Sequence, residues 1–134
     1  MSTNLIVDTS VFLIYASYDK IYRLANAVEK YNLTLFVNET LLDELENNLP
    51  RIIRVKDITI ENILTEIKRI TTVVIITPTF TQSPDPKDNF LFDLAIQTNS
   101  EILVTQEKAL LNFENSPVKI HDLKWFKETY PVGL

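Results

Sequence analysis

The chain has no cysteine, a single glycine and a single histidine. Without cysteine there is no disulfide framework, no thiolate nucleophile and no zinc–thiolate site. The lone glycine, Gly133, stands next to the last residue, and its isolation excludes still more. A Walker loop or a GxGxxG turn needs glycines that bring backbone N–H groups onto phosphate, so P-loop nucleotide hydrolases and dinucleotide-fingerprint enzymes are ruled out. Helix ends also lose the residue that usually takes the left-handed conformation, and asparagine is its substitute. Asn32 in KYNLTLFV and Asn99 in QTNSEILV stand where such caps belong, each between a helical segment and a strand-like run. No serine or threonine finds a base and an orienting acid for a catalytic triad, and the one histidine, His121, reads as structural.

Long apolar runs are missing too. Leu5 to Ala16 is interrupted by Asp8 and has no basic segment before it. It makes a poor signal peptide and is too short to span a bilayer, so a cytoplasmic protein without a membrane partner is expected. An excess of positive charge is also lacking. A net charge of -5 argues against a general nucleic-acid coat protein. Acids clustered on metal change that inference, because two divalent ions would bring the balance to about -1. Local cations remain at Arg51, Arg54 and Lys56 and at Lys68 and Arg69. They read as a solvated helical surface or as an RNA-contacting patch.

What is present is a chain of 134 residues with 46% hydrophobic and 23% charged residues, enough to bury one core, and a single domain over 1–134 is expected. Leu5-Ile6-Val7 is a short strand ending in Asp8, and the helix after it can be capped by Thr9 or Ser10. A helix in YRLANAVEKY precedes a strand in LTLFV. NETLLDELENNL is helical, begun by Asn38 and closed before Pro50. A helix over Ile58 to Ile70 leads to the β-branched run TTVVIIT. A helix from Pro86, a strand EILV, a short helix from Gln106 to Phe113, a strand VKI and a last helix after Asp122 follow. Uniformly apolar strands alternating with helices predict an α/β fold, three-layered α/β/α with a mainly parallel sheet. In such sheets a ligand lies beyond the carboxyl ends of the strands.

Acids recur at those ends. Asp8 follows the first strand and is either a cap or a site residue, with Thr9 and Ser10 able to do the capping. In ETLLDELENNL the apolar stripe is Leu41, Leu42, Leu45 and Leu49, with Glu44 on one edge and Glu46 on the other; periodicity does not choose between them. In SPDPKDNFLFDLA, Asp85 before Pro86 matches an N-cap, and Asp88 falls within the first turn. Asp88 shares its side with Leu91, Phe92 and Ala95, whereas Asn89, Asp93 and Gln97 form a polar stripe. A carboxylate on the buried side must be paired, protonated or metal-bound. Glu107 follows a strand and Thr105, again at a helix start. Carboxylates crowded in one place cannot all ionise without a cation, and an all-oxygen set suits Mg²⁺ or Mn²⁺.

At these residues the sequence resembles the PIN domain family, within it the bacterial toxin–antitoxin components related to VapC-type toxins, over nearly the whole chain. LIVDTSVF is similar to the family's first motif, VNETLLDELENNLPR to the segment of the second acid, and DPKDNFLFDLAIQTNSEILVTQEKALLNF to the third and fourth motifs. The resemblance implies Asp8, Glu44, Asp88 and Glu107 as metal-holding and catalytic acids, selecting Glu44 over Glu46. It further implies Thr9 and Thr105 as supporting residues, with Asp93 a peripheral neighbour. The implied activity is that of a Mg²⁺- or Mn²⁺-dependent endoribonuclease hydrolysing RNA. An antitoxin protein would block the site in a toxin, and homodimerisation is a family expectation. The fourth motif usually carries aspartate after a small residue, whereas Gln106-Glu107 stands here. A PIN-like module that binds RNA or protein without cleaving is the alternative. A phosphate-accepting receiver domain would need a lysine near the end of a late strand, and EILVT has none.

Overall fold

In the computed structural model, which describes residues 2–52 and 57–133, five strands form one sheet. The order of elements is β1 (Thr3–Val7), α1 (Thr9–Ser17), α2 (Ile21–Lys30), β2 (Leu33–Val37), α3 (Glu39–Ile52), α4 (Asp57–Arg69) and β3 (Thr71–Val73). After a single 3₁₀ turn (Pro86–Asp88) come α5 (Asn89–Gln97), β4 (Ile102–Val104), α6 (Lys108–Leu111), β5 (Lys119–His121) and α7 (Leu123–Thr129). Every pairing is parallel, in the order β3-β2-β1-β4-β5, and helices cover the sheet in a three-layer α/β/α arrangement. The all-oily strands foretold this, since a parallel strand is buried on both faces. Leu5, Ile6 and Val7 are buried, as are Leu103 and Val104.

From β1 the chain builds outward through β2 to β3 and then returns to the other flank of β1 for β4 and β5. The reversal lies between β1 and β4, where the ends of the strands open the crevice used by ligands in sheets of this kind. Register brings the two strands level, with Val7 opposite Val104, so that Asp8 and Thr105 leave the sheet side by side.

Asn32 and Asn99 take the left-handed conformation at φ 52° and 54°, as the missing glycines require, and Asp19 joins them at 54°. At the second of these ends Ser100 N–H donates to the Ala95 carbonyl at 2.8 Å, closing the last turn of α5.

Several boundaries differ from the sequence expectation. Helix α3 does not close before Pro50 but carries it inside its last turns. Pro50 is exposed while Leu49 is fully buried, so packing through Leu49 holds the helix where the proline removes one backbone donor. The run TTVVIIT yields only three strand residues. Ile75 is completely exposed, and after Val74 N–H donates to the Val37 carbonyl the chain from Thr77 to Ser83 is bonded along α5 instead. The polar stripe of α5 is what holds it there. Asn89 Oδ1 accepts from Ser83 N–H at 3.0 Å, Asp93 accepts from Thr79 and Phe80 N–H at 3.1 and 2.9 Å, and Gln97 accepts from Thr77 N–H at 2.9 Å. Phe80 stacks on Phe92 at 4.7 Å, adding an apolar anchor. The helix expected over Gln106 to Phe113 is confined to Lys108–Leu111.

His121 stacks on Trp125 at 3.9 Å between ring centres, and Phe126 is buried, so the last helix packs on the domain. Of the basic residues, Arg69 pairs with Glu66 and Arg51 is exposed; Arg54 and Lys56 lie outside the described residues.

Candidate active site

Asp8 is the fixed point of the site. It is only 4% exposed, and its carboxylate accepts three hydrogen bonds. Thr9 N–H donates to Oδ1 at 2.7 Å, and the hydroxyls of Thr105 and Ser10 donate to Oδ2 at 2.8 and 3.2 Å. Asp8 therefore caps α1 itself, and cap and site residue are one group. The Thr9 hydroxyl, offered by the sequence as a cap, donates instead to Glu44 Oε2 at 2.9 Å. That bond ties α1 to α3 and leaves Glu46 exposed. Thr105 has no exposure; besides donating to Asp8 it accepts from Glu107 N–H at 3.1 Å, linking the β1 and β4 ends through one hydroxyl.

Asp88 arrives through local chain chemistry. Asp85 accepts from Lys87 N–H at 3.0 Å and Pro86 begins the 3₁₀ turn, so Asp85 is the cap. Asp88 is buried, caps nothing, and its Oδ2 has no partner. Glu107 lies against it at the start of α6. Asp93 is 3% exposed and spent on the 79–80 backbone; it supports the wall beside the site and does not form part of the polar surface the sequence suggested.

All four carboxyls are harder to ionise than usual, for stated reasons. Burial raises Asp8, opposed by its hydrogen bonds from Thr105, Thr9 and Ser10. Burial raises Glu44 as well, with the Asp8 and Glu107 charges adding to it while the Thr9 hydroxyl and the Lys87 ammonium oppose it. Asp88 is pushed up to about 8, by burial first and then by the charge of Glu107. Burial and the charge of Asp8 raise Glu107 too, although the hydrogen bond from Asp88 works the other way. These are the signs of like charges gathered in a place with too little water to screen them.

Ser10 and Lys87 escaped the sequence reading as parts of this site. By sequence Ser10 reads only as a cap, yet it donates to Asp8 and accepts from Gln106 N–H at 3.1 Å. Lys87 adjoins Asp88 in sequence, which was the available signal.

A hard divalent cation fits this donor set. Every donor is oxygen, Asp88 Oδ2 is buried without a partner, and opposite charge would relieve all four raised carboxyls. As the side chains are placed, no three acids among the described residues close on a single point. Glu44 is turned onto Thr9, and Glu107 onto Asp88.

A parallel α/β/α domain with acids gathered at its switch point defines a class of site suited to metal-assisted phosphoryl chemistry. The PIN domain family model matches residues 4–109. The chain belongs to the PIN domain family, whose members are generally nucleases. Among solved structures it is similar to PAE2754 from Pyrobaculum aerophilum, at 17% identity and TM-score 0.67, covering 97% of this chain and 98% of that one. A domain of a functionally unknown protein from Methanocaldococcus jannaschii shares 20% identity at TM-score 0.60, with 91% of each chain covered. VapBC2 from Rickettsia felis, bound to a DNA fragment from its promoter, shares 15% identity at TM-score 0.59, covering 90% of this chain and 98% of that one. No curated protein matches the chain significantly.

Proposed function

We propose that the protein is a Mg²⁺- or Mn²⁺-dependent endoribonuclease of the VapC-related kind, acting as the toxin of a toxin–antitoxin pair. The observation that carries the reading is the set of four raised carboxyls at the β1/β4 crevice, one of them with a buried oxygen that lacks a partner. Asp8, Glu44, Asp88 and Glu107 would hold the ion, which supplies Lewis acidity toward water and the scissile phosphate when bound. Thr105, Ser10 and the Thr9 N–H keep Asp8 from turning, and the Thr9 hydroxyl orients Glu44. Lys87, whose ammonium reaches Glu44 electrostatically, is suited to meet a phosphate oxygen of the RNA. The motif resemblance and membership of the PIN family support the toxin role, with an antitoxin partner and a homodimer following from the same source.

The test is cleavage of single-stranded RNA with Mn²⁺ or Mg²⁺, comparing wild type with Asp8→Asn and Asp88→Asn. Losses of about 100-fold or more are expected for both variants. If wild type leaves the RNA intact and Mn²⁺ does not raise its melting temperature, the nuclease reading fails. Glu107, one methylene longer than the family's usual aspartate, favours a second reading in which the domain binds RNA or protein without cleaving. Cleavage gained by Glu107→Asp in an otherwise inactive protein would assign the silence to that methylene.

A further inference from the structure

Beside the carboxylates a groove of about 470 Å³ lies between the N-terminal turn of α3, the 3₁₀ turn before α5 and the extended segment after β3. Its walls belong to the same elements that carry two of the acids. Asp88 sits between two of its lining residues, Pro86 and Asn89, and Glu44 is on the helix whose first turn forms its wall.

The polar groups of the groove are specific in kind. Asn38 is 7% exposed, and its Oδ1 accepts from Leu41 N–H at 3.1 Å. That capping bond fixes which way the amide faces, and its Nδ2 donates to no described residue. Asn89 is fixed in the same manner by Ser83 N–H, and its Nδ2 is likewise without a partner among the described residues. Two amide groups, one at the start of α3 and one at the start of α5, thus bring N–H donors to the groove lining. Half-buried Phe90 and the rings of Pro86 and Pro78 supply apolar faces, and Ile75 stands fully exposed at the rim. No lysine or arginine lines the groove, whereas the acidic residues Glu39 and Asp93 do. Phosphate is therefore unwelcome there, and a flat, neutral group with acceptor atoms on its edge is what fits.

We infer that the groove holds one unpaired nucleobase next to the scissile phosphate, stacked on Phe90 or the prolines and read by Asn38 and Asn89. This deepens the nuclease proposal and rests on it for the nature of the substrate. Unpaired bases are recognised by stacking on apolar rings and by side-chain amides on their edges. Bases with adjacent acceptors, such as guanine at O6 and N7 or cytosine at O2 and N3, satisfy two donors; adenine, whose N1 and N7 each stand beside the N6 amino group, does not on those edges.

The experiment separates binding from cleavage. Single-stranded RNA oligonucleotides of about eight residues, differing in one base, are titrated by fluorescence anisotropy in EDTA against wild type, Asn38→Ser and Phe90→Leu. Serine keeps an acceptor for the cap of α3 while removing the amide, and melting curves verify that both variants fold. The expected result is a preference confined to one position of the oligonucleotide, with affinity about 5- to 10-fold lower in each variant and the preference lost in Asn38→Ser. Should binding fall in this way while no RNA is cleaved under any metal, the base subsite stands and the nuclease reading fails. Equal affinities for wild type and variants, or no preference among bases, would overturn the subsite and leave the exposed Ile75 rim to a protein partner.

Discussion

At the scale of single residues the site is a set of compromises between burial and charge. Asp88 is the extreme case, a buried carboxyl beside Glu107 with one oxygen unpartnered. Asp88→Asn removes the cost of ionising it, so the metal-free protein is expected to gain about 1–2 kcal/mol at pH 8 while losing RNA cleavage. Melting in EDTA and a cleavage assay on the same preparation check both halves. Thr105 shows the opposite balance, because its hydroxyl both donates to Asp8 and accepts from Glu107 N–H. Thr105→Val keeps the shape and removes both bonds, and a loss of about 1–3 kcal/mol is expected from urea denaturation. The sequence already placed Asp88 on an apolar face by counting around the helix. It could not choose Glu44 over Glu46 by the same count, since both flank one stripe; the Thr9 hydroxyl makes the difference, from thirty-five residues away.

At the scale of elements, the strand expected from TTVVIIT became an arm laid on α5. Three polar side chains one turn apart on that helix answer the backbone N–H groups of Thr77, Thr79, Phe80 and Ser83. β-branched residues favour extended backbone, but pairing needs a neighbour, and β3 is already the edge of the sheet. Asp93→Ala leaves two backbone donors without their charged acceptor. It should cost about 2–3 kcal/mol and speed hydrogen exchange across 77–83 more than in β1. Helix α3 makes the complementary point. Proline disfavours helix at the residue before it, yet burial of Leu45 and Leu49 on one side outweighs that local preference.

At the scale of the whole molecule, pH and metal act on the same balance. Burial pushes Asp88 up to about 8 in the folded chain, from the ordinary carboxyl value of 3.8 that it has when free. The folded chain therefore holds a proton that the unfolded chain has released. Between those values stability falls as pH rises, and the stabilisation present in acid is lost on passing through the folded value. In EDTA the melting temperature should drop between pH 5 and 8, and millimolar Mn²⁺ should flatten that drop because the cation replaces the proton. A melting temperature that climbs with pH in EDTA would contradict this. The sequence by itself determined the alternation of helix and parallel strand, the asparagines that replace glycine at Asn32 and Asn99, and the excluded nucleotide-binding classes. These follow from side-chain burial and backbone sterics, which act over a few neighbouring residues. Only the tertiary structure decided that Asp8 and Thr105 leave adjacent strands level, that Glu44 turns inward, that Asp93 is consumed by an arm, and that Glu107 meets Asp88. Those outcomes depend on distances between residues far apart in the chain, which local periodicity does not encode.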